Sequence, residues 1–498
     1  MAEKQFETTV SDDHVAPVSP ESSSIDLEDK ATMQAMGKTQ QLKGSSLGTG
    51  LYAGGPVTLV WGLFFTGSGT LALACSIAEM ASMCPISGAQ YHWTYMFAPK
   101  KWKATITSLT YIIAGQVQGM VILNWADYGF ERWHTTLMMW AVLGITYVIN
   151  IYGIGLLPAT ELFAGVCHVF FFIIFAVVML VLGRNSDAKF VFTTFINQTG
   201  WESTGVGFFI GLLPCIWCII GFDGAIHMSE ETAKAAQTIP RIIVTTVLIN
   251  ASLAWLSLLL FLFAIKDINL AISTPTGYAI LEIFRQLTNS TTSATLMMCA
   301  MLTISIAAMF GTLASVSRLT WAFARDEGLP FSNYFKYVDP KYQIPTRAVS
   351  LVSVVIILLS LINIGSSVAL NAVLSLSTIG LYISYIIPIA CLLSLRLRVA
   401  TSKAEPSHAG VDEDKIVFGP WTLGQWDPLI NLYAICYATL LVPFMALPST
   451  LPLTKETMNY AGPVFLLVIV FAGIDCAFRD RKHFHGPSRE VQRAVQEG

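Results

Sequence analysis

Eleven uninterrupted apolar stretches of about 18 residues or more run through this chain, at approximately 56–80, 104–124, 135–157, 159–183, 206–228, 241–265, 292–324, 348–364, 368–396, 428–447 and 460–478. As helices, stretches of this length match the hydrocarbon thickness of a bilayer. At about 21 residues per crossing, eleven spans use roughly 230 of the 498 positions. Only 12% of the residues are charged, where a soluble domain carries roughly a quarter, and 54% are hydrophobic. Too few polar groups remain to cover such a chain in water, which excludes a water-soluble enzyme. Backbone in lipid must satisfy its own hydrogen bonds, leaving helices or a closed barrel, and the run lengths select helices. The expected fold class is all-α, a polytopic membrane helical bundle.

Lysine and arginine give the orientation, because basic loops stay in the cytoplasm. Counting back from the C-terminus, alternate segments are basic: 479–498 with five, 396–427 with four, 325–347 with four, 229–241 with two and 81–103 with three. The intervening loops hold about one or two each, so the C-terminus is expected to be cytoplasmic. Eleven spans then place the N-terminal segment outside. That segment, 1–43, holds eight acidic and four basic groups, more than the whole net charge of -3, and its composition predicts a disordered tail with no signal-peptide pattern. An exported acidic tail flanked by Lys30, Lys38 and Lys43 conflicts with its charge, so the segment 44–55 (GSSLGTGLYAGG) is suspected of standing where a helix is missing. Nine cysteines are spread through the apolar runs without a pairing pattern, and no structural disulfide is expected.

The fifth run, VGFFIGLLPCIWCIIGFDGAIHMSEE, carries the sharpest local feature. Pro214 removes a ladder hydrogen bond and Gly221 and Gly224 bracket Phe222 and Asp223, so the helix is expected to break in mid-membrane. Freed backbone at that depth suits a binding site: carbonyls ending the outer half favour a cation, and amides opening the inner half favour an anion. Asp223 as an ordinary N-cap of the inner half is the plainer alternative. Ionisable groups in or beside spans are Glu79, His168, Asp223, His227, Arg318 and Asp475. Most lie near span ends, where snorkelling or interfacial pairing explains them, whereas His168 lies about ten residues into its span and is a candidate for proton coupling. The loop CSIAEMASMCPISGAQYHW suits a short interfacial helix with its aromatic end at the headgroups. Arg325 and Asp326 sit at the inner end of a long helix, where opposite charges could close a gate, and Thr303, Ser305, Thr312, Ser315 and Ser317 mark a polar face of that helix. No phosphate-binding loop, zinc-protease, nucleophile-elbow or metal-cluster motif occurs, so no catalytic residue, metal or cofactor is expected.

The strings SIAEMASMCPISGAQYHW, FERWH, GFDGAIHMSEETAKAAQTIPR, SRLTWAFARDEGLPFS and FGPWTLGQW occur in that order. Together they closely resemble the fungal amino acid/choline permeases of the amino acid–polyamine–organocation superfamily, over about residues 34–485. The resemblance implies a transporter with two inverted five-helix repeats and two extra C-terminal helices, carrying amino acids, 4-aminobutyrate, choline or polyamines by alternating access. It implies an incomplete first repeat at 56–183, a second at 206–396, extra helices at 428–478 and a transporter domain of 44–483 ahead of a short tail, 484–498. It places Trp217, Cys218, Gly221, Phe222, Asp223, Gly224 and Ser305 near the substrate. Glu79, His168, Glu230, Arg318, Arg325 and Asp326 fall to proton coupling or gating. The implied partners are a small amine or amino acid, a co-transported proton and the lipid bilayer, with no nucleic acid, and the implied location is the plasma membrane. Members of the family place a whole broken helix between sequences like MGKTQQLK and GLYAGGPVTLVWG, where this chain has only GSSLG and a few residues. That shortfall removes half of the site and leaves a non-transporting sensor, or a degenerate or mis-spliced permease, as the alternative.

Overall fold

The structure is a computed structural model and describes residues 44–97, 132–183, 186–272, 279–329, 331–365, 367–402, 418–453 and 458–475. The acidic tail, the 104–124 run and the C-terminal tail lie outside the described residues. Every regular element among the described residues is helical. The longer ones are α1 (Gly44–Ala53), α2 (Gly55–Met83), α3 (Ala89–Phe97), α4 (Arg132–Tyr152), α5 (Leu157–Leu182), α6 (Thr204–Gly211) and α7 (Leu213–Trp217). A 3-10 segment, Phe222–Glu231, precedes α8 (Ala235–Ala264), α9 (Ala279–Thr288), α10 (Thr291–Arg325), α11 (Thr346–Ser360), α12 (Ser367–Ser402), α13 (Asp427–Ala446) and α14 (Ala461–Asp475).

Seven helical stretches among the described residues are long and apolar enough to cross a membrane. Shorter apolar helices cover Thr136–Tyr152 and Thr346–Ser360. Their starts follow the breakers in the sequence. Proline sits in the first turn of α2, α5 and α13, where its missing N–H costs nothing. Ser203 and Ser290 cap α6 and α10, accepting the amides of Val206 at 3.4 Å and Ser293 at 3.3 Å.

Hydrogen bonds between connectors sort the helix ends into two layers. At one end the Gln198 amide donates to Tyr52 O (2.8 Å), Leu451 N to Thr199 O (2.6 Å) and Ser186 Oγ to Ile265 O (2.6 Å). At the other, the Ser87 amide after α2 donates to Glu230 of the 3-10 segment, Arg325 at the end of α10 donates to the same Glu230, and the Leu423 amide before α13 donates to Glu79 of α2. Connectors 229–241, 325–347 and 418–427 all belong to this second layer, so the basic loops gather at one end, here termed the inner end.

Lipid is as apolar as a leucine side chain, so helices in it associate through close packing rather than exclusion of water. Gly69 of α2 illustrates the requirement: a methyl group there would fall inside the Tyr437 ring of α13. One buried cluster joins α2, α3, α7, α12 and α13 around Trp93, Tyr382, Tyr385 and Tyr437; a second joins α1, α2, α8 and α9 around Leu47, Leu51, Leu258 and Phe284. The helix α5 buries Leu157, Glu161, Ala164 and Met179 and turns Val166, Phe170, Ile173, Val177 and Leu180 outward.

The segment suspected of replacing a helix is itself helical. At ten residues α1 is about 15 Å long, half a bilayer, and it packs on α6, α7 and α9 at the outer end.

Candidate functional site

The fifth run is interrupted in mid-chain, as expected, but in two steps. The chain turns at Leu212, and Pro214 then occupies the first turn of α7, where no ladder bond is lost. After Trp217 the chain leaves the helix for four residues and re-enters through Gly221 at φ +85°, a left-handed conformation that only glycine adopts without strain. Gly221 therefore opens the 3-10 segment, and Asp223 is not its cap. The Asp223 carboxylate instead accepts Gln90 Nε2 of α3 at 2.9 Å and faces His227 Nε2 at 3.7 Å.

A cavity of roughly 80 Å³ lies against this break, bounded by Cys218 of the interruption, His168 and three phenylalanines of α5, Ala254, Ser257 and Phe261 of α8, and Met301 and Ile304 of α10. Among the described residues its lining holds four phenylalanines (Phe171, Phe172, Phe175 and Phe261), two methionines, one imidazole and no carboxylate or guanidinium. Such a wall offers π faces and sulfur to a cation and no charge to a carboxylate.

Of the residues expected near the substrate, the structure brings Cys218 to this cavity, together with His168. Trp217 instead donates from Nε1 to Thr378 Oγ1 of α12 at 2.9 Å, and Phe222 lies 5.4 Å from the Tyr385 ring. Ser305 adjoins Ile304 but returns its hydroxyl to Met301 O at 3.0 Å, as Thr303 and Thr312 do to their own turns. Ser315 reaches across to Gly224 O at 3.1 Å, joining α10 to the 3-10 segment.

The charged residues assemble at the inner end. Arg325 makes a two-pronged contact with Glu230, at 2.8 and 3.1 Å, and Glu230 also accepts the Ser87 amide at 3.2 Å. Two turns earlier Arg318 pairs with Glu231 at 2.8 Å. Asp326 is buried, accepts Tyr91 OH at 2.8 Å and has His92 Nδ1 3.8 Å away. Burial pushes the Asp326 carboxyl up to about 6 and the His92 imidazole down to about 3.

Two features here were not expected from sequence, the buried aromatic end of α3 and the buried Glu161, and Glu79 resolves between two expected forms. The aromatic end of α3 does not lie at the headgroups: Tyr91, His92 and Trp93 are buried, Trp93 Nε1 donating to Cys84 O at 2.9 Å, because α3 packs inward against α12. Glu79 takes the pairing rather than the snorkelling alternative: it is wholly buried, accepts the Leu423 amide at 3.0 Å and lies 2.9 Å from Arg396, which also pairs with Asp427. Glu161 of α5, 2% exposed, lies against Gly311 of α10. A glutamate inside an otherwise apolar run was the available sign of that site.

Residues 35–471 match the family described as Amino acid permease. The chain is 28% identical over 459 residues to a choline transporter of Saccharomyces cerevisiae, covering 89% of this chain and 78% of that protein. It is also 28% identical over 500 residues to the GABA-specific permease of the same yeast, covering 93% and 83%. With the amino-acid permease BAT1 of Arabidopsis thaliana the identity is 30% over 474 residues, 89% of each.

Proposed function

The chain belongs to the amino acid permease family, and we propose that it carries a small amine across its membrane through the cavity behind Cys218 and His168. Amino acids and related amines are the family's cargo, and the cavity supports a choice among them. An amine with no carboxylate fits walls of phenylalanine and methionine; a free carboxylate finds no guanidinium or ammonium among the described residues of the lining. Choline and 4-aminobutyrate, which figure in the names of two relatives, differ in this one group. Alternating access would open the cavity by turns to either side. Pairing of Arg325 with Glu230 and Arg318 with Glu231 supports a shut inner gate in this structure. A co-transported proton, a plasma-membrane location and a cytoplasmic C-terminus complete the proposal.

The observation that carries the proposal is the cavity at an interrupted membrane helix. Uptake of labelled choline and labelled 4-aminobutyrate into vesicles containing the purified protein tests it. The expected result is choline uptake above protein-free vesicles and above 4-aminobutyrate uptake. Cys218→Trp, which fills the cavity, should reduce it at least tenfold while the protein remains in the vesicles. The half-length α1 favours a second reading, a sensor that binds without transporting. Absent uptake of both compounds by correctly inserted protein would decide for the sensor.

A further inference from the structure

The cluster around Asp326 does not balance its charge. Arg325 is a single cation between two carboxylates, and Glu230 takes its fork, leaving Asp326 Oδ1 3.8 Å from Arg325 Nε. Asp326 Oδ2 accepts Tyr91 OH, while among the described residues Oδ1 has no hydrogen-bond donor although its side chain is fully buried. Among the described residues, the other groups packed around it supply no second cation. On α3, His92 is held neutral by burial. On the 3-10 segment, Asp223 and His227 face each other and Glu231 occupies Arg318. Glu327, next in the chain, is exposed and acidic. Burying a carboxylate is costly, and the one hydrogen bond it accepts does not offset that cost, so the anion is undersupported here.

We propose that Asp326 binds a proton when the inner end is closed and releases it when α10 parts from α3 and the 3-10 segment. This rests on the reading of the inner end as a gate. The proton sits on the carboxyl, neutralises the surplus negative charge and removes the need for a second cation. Opening brings water to Asp326 and returns it to an ordinary acid that gives up the proton on the cytoplasmic side. The sign follows from linkage. Between the free value of 3.8 and the closed value of about 6, the closed form holds more protons, so acid favours closure. Lowering the inner pH from about 7.5 to about 5.5 should raise the closed-to-open ratio roughly fourfold.

Cys84 is a native reporter for this opening, since it is 2% exposed and its carbonyl holds Trp93 of α3. In inside-out membrane vesicles, a membrane-impermeant maleimide reaches it from the inner face, with labelling read on the Cys84 peptide by mass spectrometry. Dividing each rate by that of the unfolded chain at the same pH removes the titration of the thiol. The expected result is a roughly fourfold slower normalised rate at pH 5.5 than at 7.5, with Asp326→Asn slow at both. Tyr91→Phe provides the second measurement: losing a hydrogen bond that favours the charged form should move the midpoint to higher pH. A response that persists in Asp326→Asn overturns the proposal. If that variant does not fold, an unmoved midpoint in Tyr91→Phe overturns it.

Labelling needs no transport, so it separates failure of this inference from failure of the proposed function.

Discussion

At the residue scale, chemistry concentrates where a charge has been buried and a partner supplied from a distant part of the chain. Arg396 at the inner end of α12 holds Glu79 of α2 and Asp427 of α13, and all three are largely withdrawn from solvent. Removing the arginine leaves two carboxylates buried side by side, a loss of about 3–5 kcal/mol when a buried pair is broken from one side. Arg396→Leu is therefore expected to lower the unfolding midpoint in detergent sharply, and combining it with Glu79→Gln and Asp427→Asn should recover most of the loss. If the triple variant stays as unstable as the single one, the arginine acts by packing against the Phe418 ring rather than by charge. The sequence marked Glu79 as costly but could not name its partner, which is more than three hundred positions away. The same limit applies to Asp223. Local rules offered it as a cap, whereas its carboxylate serves Gln90, 133 residues earlier.

Elements are more legible, because their causes are local. Apolar run length located the longer apolar helices among the described residues to within a few residues at most ends, though α1, α3 and α9 lie outside every run, and Pro214 with Gly221 announced the interruption of the fifth run. The two residues contribute differently, however. Pro214 lies in the first turn of α7, and its replacement by alanine should change stability by less than about 1 kcal/mol. A methyl group at Gly221 would meet open space, but the backbone there has a φ of +85°, so Gly221→Ala should cost about 1–2 kcal/mol through conformational strain alone. Detergent unfolding of the two variants checks the order, and a larger loss in Pro214→Ala would assign the interruption to the proline. What periodicity could not give was the direction of α3. Its run of Tyr91, His92 and Trp93 reads equally as an interfacial belt or a buried wedge, and only packing against α12 selects the second.

For the whole molecule, the charge pattern and the helix directions were derived from different properties of the chain and still agree. Loops rich in lysine and arginine alternate with poor ones, and the hydrogen bonds between connectors place 229–241, 325–347 and 418–427 in one layer and 196–201 and 447–453 in the other. A cytoplasmic inner end follows if the positive loops are the ones retained. The half-length α1 lies beside the outer half of the broken run and spans only about 15 Å. An N-glycosylation acceptor inserted in 447–453 should therefore be modified during synthesis into microsomes, and the same acceptor inserted in 336–342 should not. The reverse pattern would invert the molecule and place Asp326 with its paired arginines at the outer face. In that orientation the proton released on opening would leave to the outside, and acid applied there, not within, would slow the labelling of Cys84.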